Sequence, residues 1–215
     1  MDIACLPHYT SGQTYFYPAF NALRSEDVVK FAYEFGNVLA MPIMLDATMR
    51  VRASRGLKIE SSHGNFFTSS TSQLTLPAVA QDQGYIIEVQ IEEPITDPFV
   101  VFQTAILHTT CYGERRIRVI TSAVPTTKSL SEVFASTDQV ALATYFANTT
   151  VANSLTQNLE ASRDVLYNRM LDILIAYKYS VMAAGVGPSA QLALCENMKM
   201  LPVLILGLMK NVRGF

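Results

Sequence analysis

The sequence predicts an α+β chain in three successive segments: a strand–helix unit, a small antiparallel β-sandwich or barrel, and an all-helical region. Apolar and polar residues alternate in the middle of the chain, which is typical of half-buried strands, and apolar residues recur at helical spacing after residue 128. Half of the 215 residues are apolar and only 16% are charged, so the chain has ample material for packed cores.

The first segment, Met1–Pro42, predicts a strand followed by a helix. Residues 1–6 are typical of a strand, and Ser25 is a good N-cap with two acidic residues in the first helical turn after it. The helix should end at Met41, because the residue before a proline is disfavoured in the α conformation. Its apolar positions follow helical spacing and comprise Val28, Phe31, Ala32, Phe35, Val38 and Leu39.

The second segment, Ile43–Thr127, predicts about five or six strands. The stretch "YIIEVQIEE" (Tyr85–Glu93) places apolar residues on one face and charged ones on the other, and "ERRIRVITSAV" alternates in the same way. By contrast, "FVVFQTAILHTT" is apolar on both faces, as expected of a central strand. Turn signals between these runs are Arg55-Gly56, Leu76-Pro77, "EEPITDP" and "CYGE".

The third segment, Lys128–Phe215, predicts helices. Ser129 followed by Glu132 matches a capping box, and Pro202 lies near the start of the last helix, where proline is tolerated. We expect the stretch "AAGVGPS" (Ala183–Ser189) to break a long helix. The apolar stripe of that helix consists of Leu155, Leu159, Leu166, Met170, Ile173, Leu174, Tyr177 and Val181.

No pattern in the chain predicts a catalytic or metal site. There is no nucleophile elbow, no Walker loop and no dinucleotide-binding glycine motif. The three histidines lack a second metal ligand at helical or strand spacing; they are His8, His63 and His108. The three cysteines are far apart and fit reduced, packed thiols rather than disulfides or a zinc site; they are Cys5, Cys111 and Cys195.

The charge and hydropathy of the chain limit which other classes of function are open to it. The formal net charge of −2 gives no support to a polyanion as the main partner, since such domains usually carry a basic excess. No basic region leads into an apolar one after Met1, so we expect no secretory signal. The longest apolar run, Leu201–Met209, is less than half of the ~20 residues that span a bilayer, and predicts a buried helix.

The stretch "MRVRASRG" (Met49–Gly56) is the clearest candidate for a binding site. On a strand, Arg50 and Arg52 project from the same face. Two adjacent guanidinium groups offer forked donors that fit a carboxylate or a phosphate bidentately. A second pair, Arg116 and Arg118, repeats the pattern.

Two other interpretations of the arginines stay open from spacing alone. They can form an ordinary solvated strand face that is screened by a neighbouring glutamate row, Glu88 and Glu92. Alternatively, a small barrel can bind single-stranded nucleic acid on such a face by stacking bases on aromatic side chains. The nearest aromatic residues, Phe66 and Phe67, do not interleave with the arginines.

Several stretches together resemble the Sec24 family, the cargo-adaptor subunit of the COPII vesicle coat. They are "RSEDVVKFAYEFGNVLAMPI", "ATMRVRASRGLKI", "HGNFF", "GERRIRVITSAVPTTKSLSEVFASTDQVA" and "LCENMKMLPVLILGLMK". The resemblance runs in order along essentially all of the chain, and the block from Gly113 to Ala141 is specific. The related Sec23 subunit is a poorer match to "MRVRASRG" and "GERRIRV".

The resemblance implies a fold for each segment. Residues 1–42 would be the C-terminal part of a trunk domain, which is an α/β domain of von Willebrand A type. Residues 43–127 would be the antiparallel β-sandwich domain, and residues 128–215 an incomplete, all-helical domain. It implies no cofactor in this part of the protein, because the zinc-finger domain of the family lies outside this chain.

The resemblance also implies a function. Members of the family are not enzymes; they pair with the Sec23 subunit and lie peripherally on the endoplasmic-reticulum membrane and on COPII vesicles, in the cytoplasm. There they capture cytosolic sorting signals of cargo and membrane-fusion proteins, including acidic signals of the LxxLE type. The "MRVR" motif assigns that role to Arg50 and Arg52, with the other arginines of the site outside this chain. The resemblance implies no nucleic-acid partner. The alternative function for this chain is that of a β-barrel protein that binds single-stranded nucleic acid.

Overall fold

The computed structural model describes two units of the chain, Met1–Val124 and Pro125–Phe215, over residues 5–70, 73–154, 158–183 and 193–210. The first unit contains α1 (Cys5–Thr10), α2 (Ser25–Ala40), β1 (Met44–Ala53), β2 (Leu57–His63), β3 (Phe67–Ser70), β4 (Gln73–Val79), β5 (Ile86–Ile91), β6 (Phe99–Thr109) and β7 (Arg115–Pro125). The second contains α3 (Leu130–Ala135), α4 (Gln139–Ser154), α5 (Leu159–Ala183) and α6 (Leu201–Lys210).

The chain begins with a short helix where the sequence predicted a strand. Residues 5 and 6 belong to α1, and residues 1–4 lie outside the described part. Pro7 is compatible with α1 because the first turn of a helix leaves its N–H groups unpaired. The Thr10 hydroxyl donates to the Leu6 carbonyl at 2.8 Å, and Gly12 N–H donates to the Pro7 carbonyl at 3.0 Å, which closes the helix.

Helix α2 ends as predicted, but Ser25, its predicted N-cap, is its first helical residue. Arg24 is the N-cap, with extended backbone angles of −90° and 117°, and no side chain caps the helix. Asp27 instead accepts the backbone N–H of Asn21 at 3.1 Å, which holds the preceding turn. At the other end, Met41 is extended before Pro42, and its N–H donates to the Asn37 carbonyl at 2.9 Å.

The strands confirm the predicted antiparallel sandwich. Five strands form one sheet in the order β3-β4-β1-β6-β7, and β2 pairs with β5 in a second sheet. Strand β1 is central: Met49 lies opposite Leu74 of β4 on one side and Ile106 of β6 on the other. Strand β6 lies between β1 and β7, as expected of its apolar composition.

The core of the first unit lies between β1, β4 and β5. Its buried side chains come from alternate positions of β1 and β4 and from the end of β4, and are Ala47, Met49, Leu74, Leu76 and Val79. Tyr85, just before β5, and Ile87, within β5, pack against this cluster. The predicted inward face of the stretch Tyr85–Glu93 is therefore only partly covered, since Ile91 is 65% exposed.

Pro77 lies inside β4, although the sequence predicted a turn there. The pairing of β1 with β4 places Ala47 opposite Leu76 and Leu45 opposite Ala78, so Pro77 faces Asp46. Asp46 interrupts the β1–β6 ladder and has a φ of 46°, in the left-handed region. That irregularity lies on the β6 side of β1, whereas the pairing of β1 with β4 keeps one register on both sides of Pro77, so β4 continues through the proline although it cannot donate to the ladder.

Strand β7 is exposed along its whole length, where the sequence predicted a half-buried strand. The smaller sheet packs over β1 and β4, and no residue of β7 joins that core. Apolar residues on both faces of the strand are therefore in contact with solvent: Ile117 is 72% exposed, and Val119 and Ile120 are each 54% exposed.

The second unit is helical, as predicted, and is packed around α5. The predicted stripe is confirmed from Leu166 onwards: Leu166, Met170 and Tyr177 are buried, and Ile173, Leu174 and Val181 pack against them. Leu159, at the start of the helix, is 37% exposed and does not join this core. Leu155 and most of the predicted break after Ala183 lie outside the described residues. The remaining buried residues of this core are Phe146, Met198, Leu201 and Ile205.

The last helix, α6, contributes two buried residues to this core, Leu201 and Ile205, and Pro202 is its second residue, as predicted. Four of the nine residues of the predicted Leu201–Met209 run are nonetheless exposed, including Val203 at 59% and Leu206 at 49%. Within the part of the chain that the structure describes, none of the helices has the length and apolar character needed to cross a membrane.

Helix α3 begins after Ser129, as predicted, but the expected capping box does not form. The Ser129 hydroxyl contacts that of Ser131 at 2.8 Å and makes no cap bond. Thr127 bridges the two groups that one bond of the box would join: its hydroxyl accepts the N–H of Ser129 at 3.0 Å and donates to the Glu132 carboxylate at 2.5 Å. Glu132 therefore stabilises the turn before the helix by binding the Thr127 hydroxyl rather than the backbone N–H of Ser129.

The cysteines are less uniformly packed than expected. Cys111 is exposed in the turn between β6 and β7, whereas Cys195 is half-buried and donates to the Phe134 carbonyl at 3.6 Å. Nothing is described of the Cys5 side chain.

Two leucines of α5 test how the helical unit is stabilised. Leu166 is 1% exposed and Leu171 is 40% exposed, so the same substitution removes very different amounts of buried surface. We expect Leu166→Ala to lower the free energy of unfolding by about 2–5 kcal/mol and Leu171→Ala by less than about 1 kcal/mol. Urea unfolding of the complete chain, followed by circular dichroism, measures both. Equal losses would contradict this packing.

Candidate functional site

Arg50 and Arg52 lie on the outer face of β1. The neighbouring positions Ala47 and Met49 are buried at 1% and 4% exposure, whereas both arginines are exposed. Strand pairing fixes their neighbours on β6, because Arg50 lies opposite Ala105 and Arg52 opposite Gln103. The predicted same-face placement is therefore observed, and the strand that carries it is held on both sides.

Neither arginine is neutralised by a described residue of the chain. Among the residues that the structure describes, the side chains of Arg50 and Arg52 make no hydrogen bond and no ion pair. Arg55, two residues beyond β1, is different: its Nε lies 3.6 Å from a carboxylate oxygen of Glu93. The pair on β1 therefore retains its donors for an external acceptor.

The glutamate row does not screen these arginines. Glu92 pairs with Lys58 at 2.9 Å, and Glu88 pairs with His63 at 2.8 Å, so both carboxylates are bonded within the β2–β5 sheet. The bond to Glu92 also raises the pKa of Lys58 above its ordinary value. The interpretation in which these two glutamates screen the arginine face is therefore wrong.

The side chains beside the arginines on this face are small, aliphatic or amide. Leu107 lies opposite Thr48 and is partly buried, and Ala105 separates it from Gln103 along β6. The residues of β6 directly opposite the arginines are not aromatic. The exposed aromatic side chain of β6 on this face, Phe99, lies four residues beyond Gln103 at the start of the strand. Sequence reasoning did not identify Leu107, and only the pairing of β1 with β6 reveals that it shares the arginine face.

The geometry suits a carboxylate-bearing ligand. Alternate residues of a strand are about 6.6 Å apart, so the two guanidinium groups can engage one carboxylate together or two neighbouring acidic groups. A paired strand also fixes the direction of both side chains, which reduces the entropy lost when they bind. Exposure to water keeps each bond modest in strength and easily reversed.

Arg115 lies on the same face but has a structural role. One of its terminal nitrogens, Nη1, donates to the carbonyl of Asp46 at 2.8 Å, to its carboxylate at 2.8 Å, and to the Thr109 hydroxyl at 2.7 Å. It thereby satisfies a carbonyl at the irregularity in β1. The sequence contains no signal for this contact, because the two residues are 69 positions apart and the irregularity itself has no motif.

The second predicted pair does not join the first. Arg115 bonds Thr109, and Gln103 donates to Thr121 at 3.4 Å, so the odd-numbered residues of β7 share the face of Arg50. Arg116 and Arg118 therefore project from the opposite face of the sheet. Arg116 pairs with Glu114 beside the hairpin turn.

A cavity beside α2 carries no arrangement of catalytic groups. It has a volume of about 320 Å³ and is lined mainly by apolar and aromatic side chains, including Phe31, Phe35 and Val38. The carboxylate that lines it, Glu34, accepts a hydrogen bond from the Tyr17 hydroxyl, and this bond raises the pKa of Tyr17 to about 12. Within the described ranges, no group of three or more potential ligand side chains could hold a metal ion.

Comparison with family models places both units in one family. Residues 44–127 match the model of the Sec23/Sec24 beta-sandwich domain, and residues 138–214 match that of the Sec23/Sec24 helical domain. Together the two models account for most of the chain, in the order in which the sheet and the helices occur.

Similar proteins extend the match to nearly the whole chain. The chain is 47% identical over 213 residues to "Protein transport protein sec24" of Schizosaccharomyces pombe, covering 99% of the chain and 23% of that protein. It is 48% identical over 211 residues to "Protein transport protein SEC24" of Coccidioides immitis, covering 98% and 22%. The chain therefore spans less than a quarter of the length of these curated relatives.

A solved structure shares the fold. The crystal structure of the human COPII-coat protein Sec24c superimposes with a TM-score of 0.86 and 26% sequence identity, covering 97% of this chain and 27% of that one. The sandwich and the helices thus occur together in a known protein.

The irregularity at Asp46 gives a testable consequence for the strand that carries the site. Its φ of 46° costs an alanine about 1–2 kcal/mol and a glycine almost nothing. Both substitutions remove the carboxylate that Arg115 binds. We therefore expect Asp46→Ala to be less stable than Asp46→Gly by about 1 kcal/mol in urea unfolding. Equal stability, or a less stable glycine variant, would show that this backbone conformation is not maintained.

Proposed function

This chain belongs to the Sec23/Sec24 family, and we propose that it is part of a COPII coat component that selects cargo by binding cytosolic sorting signals during transport from the endoplasmic reticulum to the Golgi. The observation that carries this proposal is the pair of unneutralised arginines on a strand that is fixed on both sides. The names of the relatives support it, because they describe protein transport, and Sec24c is described as a COPII-coat protein.

We assign the segments as follows. Residues 1–42 are the C-terminal part of a trunk domain of von Willebrand A type, residues 43–127 are the β-sandwich domain, and residues 128–215 belong to the helical domain. The family models support the second and third assignments, since they match residues 44–127 and 138–214. The change from strands to helices after β7 agrees with the boundary between them.

The proposed partners follow from coat assembly. The protein pairs with the Sec23 subunit, lies in the cytoplasm, and associates peripherally with the endoplasmic-reticulum membrane and COPII vesicles. It is not an enzyme, and the zinc of the whole protein is bound outside this chain. The contribution of this chain to the assembly is to hold a peptide-binding face on a rigid sheet.

The proposed ligand is an acidic sorting peptide of the LxxLE type. Arg50 and Arg52 donate charge-assisted hydrogen bonds to its glutamate, and Leu107 offers an adjacent apolar surface to a leucine. Binding by exposed arginines is weak enough for the peptide to dissociate, as is needed in a coat protein that must release its cargo.

The nucleic-acid alternative has no observation in its favour. A single-strand binder needs aromatic stacking platforms beside its basic groups. The neighbours of Arg50 and Arg52 on β6 are alanine, glutamine and leucine, and the net charge of −2 opposes a polyanion.

The arginine pair can be tested in the full-length protein. We expect the double variant Arg50→Ala/Arg52→Ala to weaken binding of an acidic LxxLE-type peptide by roughly tenfold or more, because charge-assisted hydrogen bonds to the carboxylate are lost. Titration calorimetry or fluorescence anisotropy with the labelled peptide measures the loss. Stability should not fall, since neither side chain bonds to the protein among the residues described.

The matched control is Arg24→Ala/Arg55→Ala, which removes two exposed arginines elsewhere on the same unit. This variant should bind the peptide like the parent protein. Unchanged peptide affinity in the Arg50/Arg52 variant would refute the site. An equal loss of affinity in the control would show that the effect comes from the net charge of the protein and not from this site.

A further inference from the structure

Thr121 of β7 lies on the same face of the five-stranded sheet as Arg52 and in line with it. Gln103 of β6 is paired with Arg52 of β1, and β7 follows β6 in the sheet. The Gln103 side chain donates an amide N–H to the Thr121 hydroxyl at 3.4 Å, so these three residues form one row across three strands. Neighbouring strands are about 4.8 Å apart, which places the backbones of β1 and β7 about 10 Å from each other.

The Thr121 hydroxyl is accessible and has a proton to give. All of β7 is exposed, and in the described part of the chain it is the last strand of its sheet. The hydroxyl accepts the bond from Gln103 and donates to none of the described residues. The residues beside it on this face of the strand, Val119 and Ala123, carry no charge. An anion added to Thr121 would therefore meet no carboxylate from its neighbours on the strand.

The sequence before Thr121 has the charge pattern of a substrate for a basophilic protein kinase. Arg116 and Arg118 lie five and three residues before the hydroxyl, in the stretch "RIRVIT". Kinases with an acidic substrate cleft select positive charge at such spacings. The Arg118 side chain bonds to none of the described residues, and Arg116 makes an exposed ion pair with Glu114, which is weak enough to be exchanged. The second arginine pair, which the peptide site does not use, thus gains a role.

We propose that Thr121 is a phosphorylation site and that its phosphate occupies Arg52, which closes the arginine face to acidic peptides. This inference rests on the proposed function of Arg50 and Arg52 and adds a means of regulating it. A protein kinase transfers the terminal phosphoryl group of ATP to the hydroxyl. The Oγ1–P bond forms, the bond from phosphorus to the leaving oxygen of ADP breaks with its electron pair going to ADP, and the hydroxyl proton passes to the carboxylate base of the kinase.

A phosphate on Thr121 suits the donors around it. It carries a charge of about −1.5 to −2 at pH 7 and three acceptor oxygens. The Gln103 amide, which already bonds Oγ1, is adjacent to one of these oxygens. The guanidinium group of Arg52 reaches the others across Gln103, because an extended arginine and a phosphothreonine together are longer than the gap between their strands. Arginine binds phosphate through parallel, charge-assisted hydrogen bonds, which are stronger than neutral ones.

The phosphate would compete with a peptide because it is held on the same sheet as its arginine. An intramolecular ligand acts at a high effective concentration, whereas the peptide arrives from solution. Arg50 lies in a different row, opposite Ala105, so the phosphate reaches Arg52 first. Arg115 is already bonded to Asp46, and therefore does not divert the phosphate from Arg52.

The modification is tested on the full-length protein with ATP and a protein kinase that selects arginine at both of these spacings. Mass spectrometry of the digested protein locates the phosphate. We expect phosphate on Thr121 in the parent protein and about tenfold less in Arg118→Ala, because a charge-assisted contact with the acidic cleft is lost. Absence of phosphate from Thr121, or equal incorporation in Arg118→Ala, overturns the assignment of the modification site.

Adjacent hydroxyl residues of β7 provide a matched pair of variants for the effect on binding. Thr121→Glu and Ser122→Glu add the same charge to exposed positions on opposite faces of the strand. Fluorescence anisotropy with the labelled acidic peptide gives the affinity of each variant, and circular dichroism checks that each is folded. We expect Thr121→Glu to weaken binding by about fourfold, because an exposed ion pair with Arg52 competes with the peptide. Ser122→Glu should bind like the parent protein.

The kinase-treated protein provides the same measurement with the phosphate itself. We expect phosphorylation at Thr121 to weaken peptide binding by about tenfold, more than glutamate does, because the phosphate carries more charge and fits the guanidinium group better. Peptide affinity that does not change on phosphorylation of Thr121 overturns the regulation.

The single variant Arg52→Ala separates this regulation from the proposed function. In that background we expect Thr121→Glu to cause no further loss of affinity, since its partner is absent. Unchanged affinity in Thr121→Glu, an equal loss in Ser122→Glu, or a full further loss in the Arg52→Ala background overturns the regulation, even where Arg50→Ala/Arg52→Ala weakens binding. If Arg50→Ala/Arg52→Ala binds the peptide as the parent protein does, the proposed function fails instead.

Discussion

Strand β1 is the element on which both the core and the candidate site depend. It pairs with β4 and β6, so its backbone groups are satisfied on both sides and its side chains cannot rotate about the strand axis. The pleat then sends Ala47 and Met49 into the core and Arg50 and Arg52 outwards. A slip of one residue would bury two guanidinium groups and expose the core residues, so the hydrophobic effect that packs the sandwich also orients the site.

The irregularity at the start of β1 maintains this register. Asp46 adopts a left-handed conformation opposite Pro77, where the neighbouring strand has no N–H to donate. Arg115 binds the freed carbonyl and the carboxylate from two strands away. Three residues that are distant in sequence therefore set which residues of β1 face the core, and the arginine site begins four residues after this irregularity.

Sequence patterns predicted the parts of the fold that periodicity determines. The alternation around Arg50, the stripe of α5 from Leu166 to Tyr177, and the end of α2 before Pro42 all follow from local rules. Pro77 was misassigned to a turn because a Leu-Pro pair is a local turn signal, whereas the strand through it is held by its pairing with β1. The Ser129 cap failed for a similar reason, since the nearby Thr127 hydroxyl competes for the same bonds.

The candidate site shows the same limit, because the same residue type has two roles on one face. Arg115 and Arg50 both project from the outer surface of the five-stranded sheet, but Arg115 is bound by Asp46 and contributes to the fold, whereas Arg50 bonds to nothing among the described residues. Spacing identifies both as surface arginines and cannot distinguish them, because the distinction depends on a carboxylate contributed by a different strand. An arginine without an internal partner adds little to stability and can be used for binding at almost no cost to the fold. Selection for ligand binding can therefore act on Arg50 and Arg52 independently of the core that positions them.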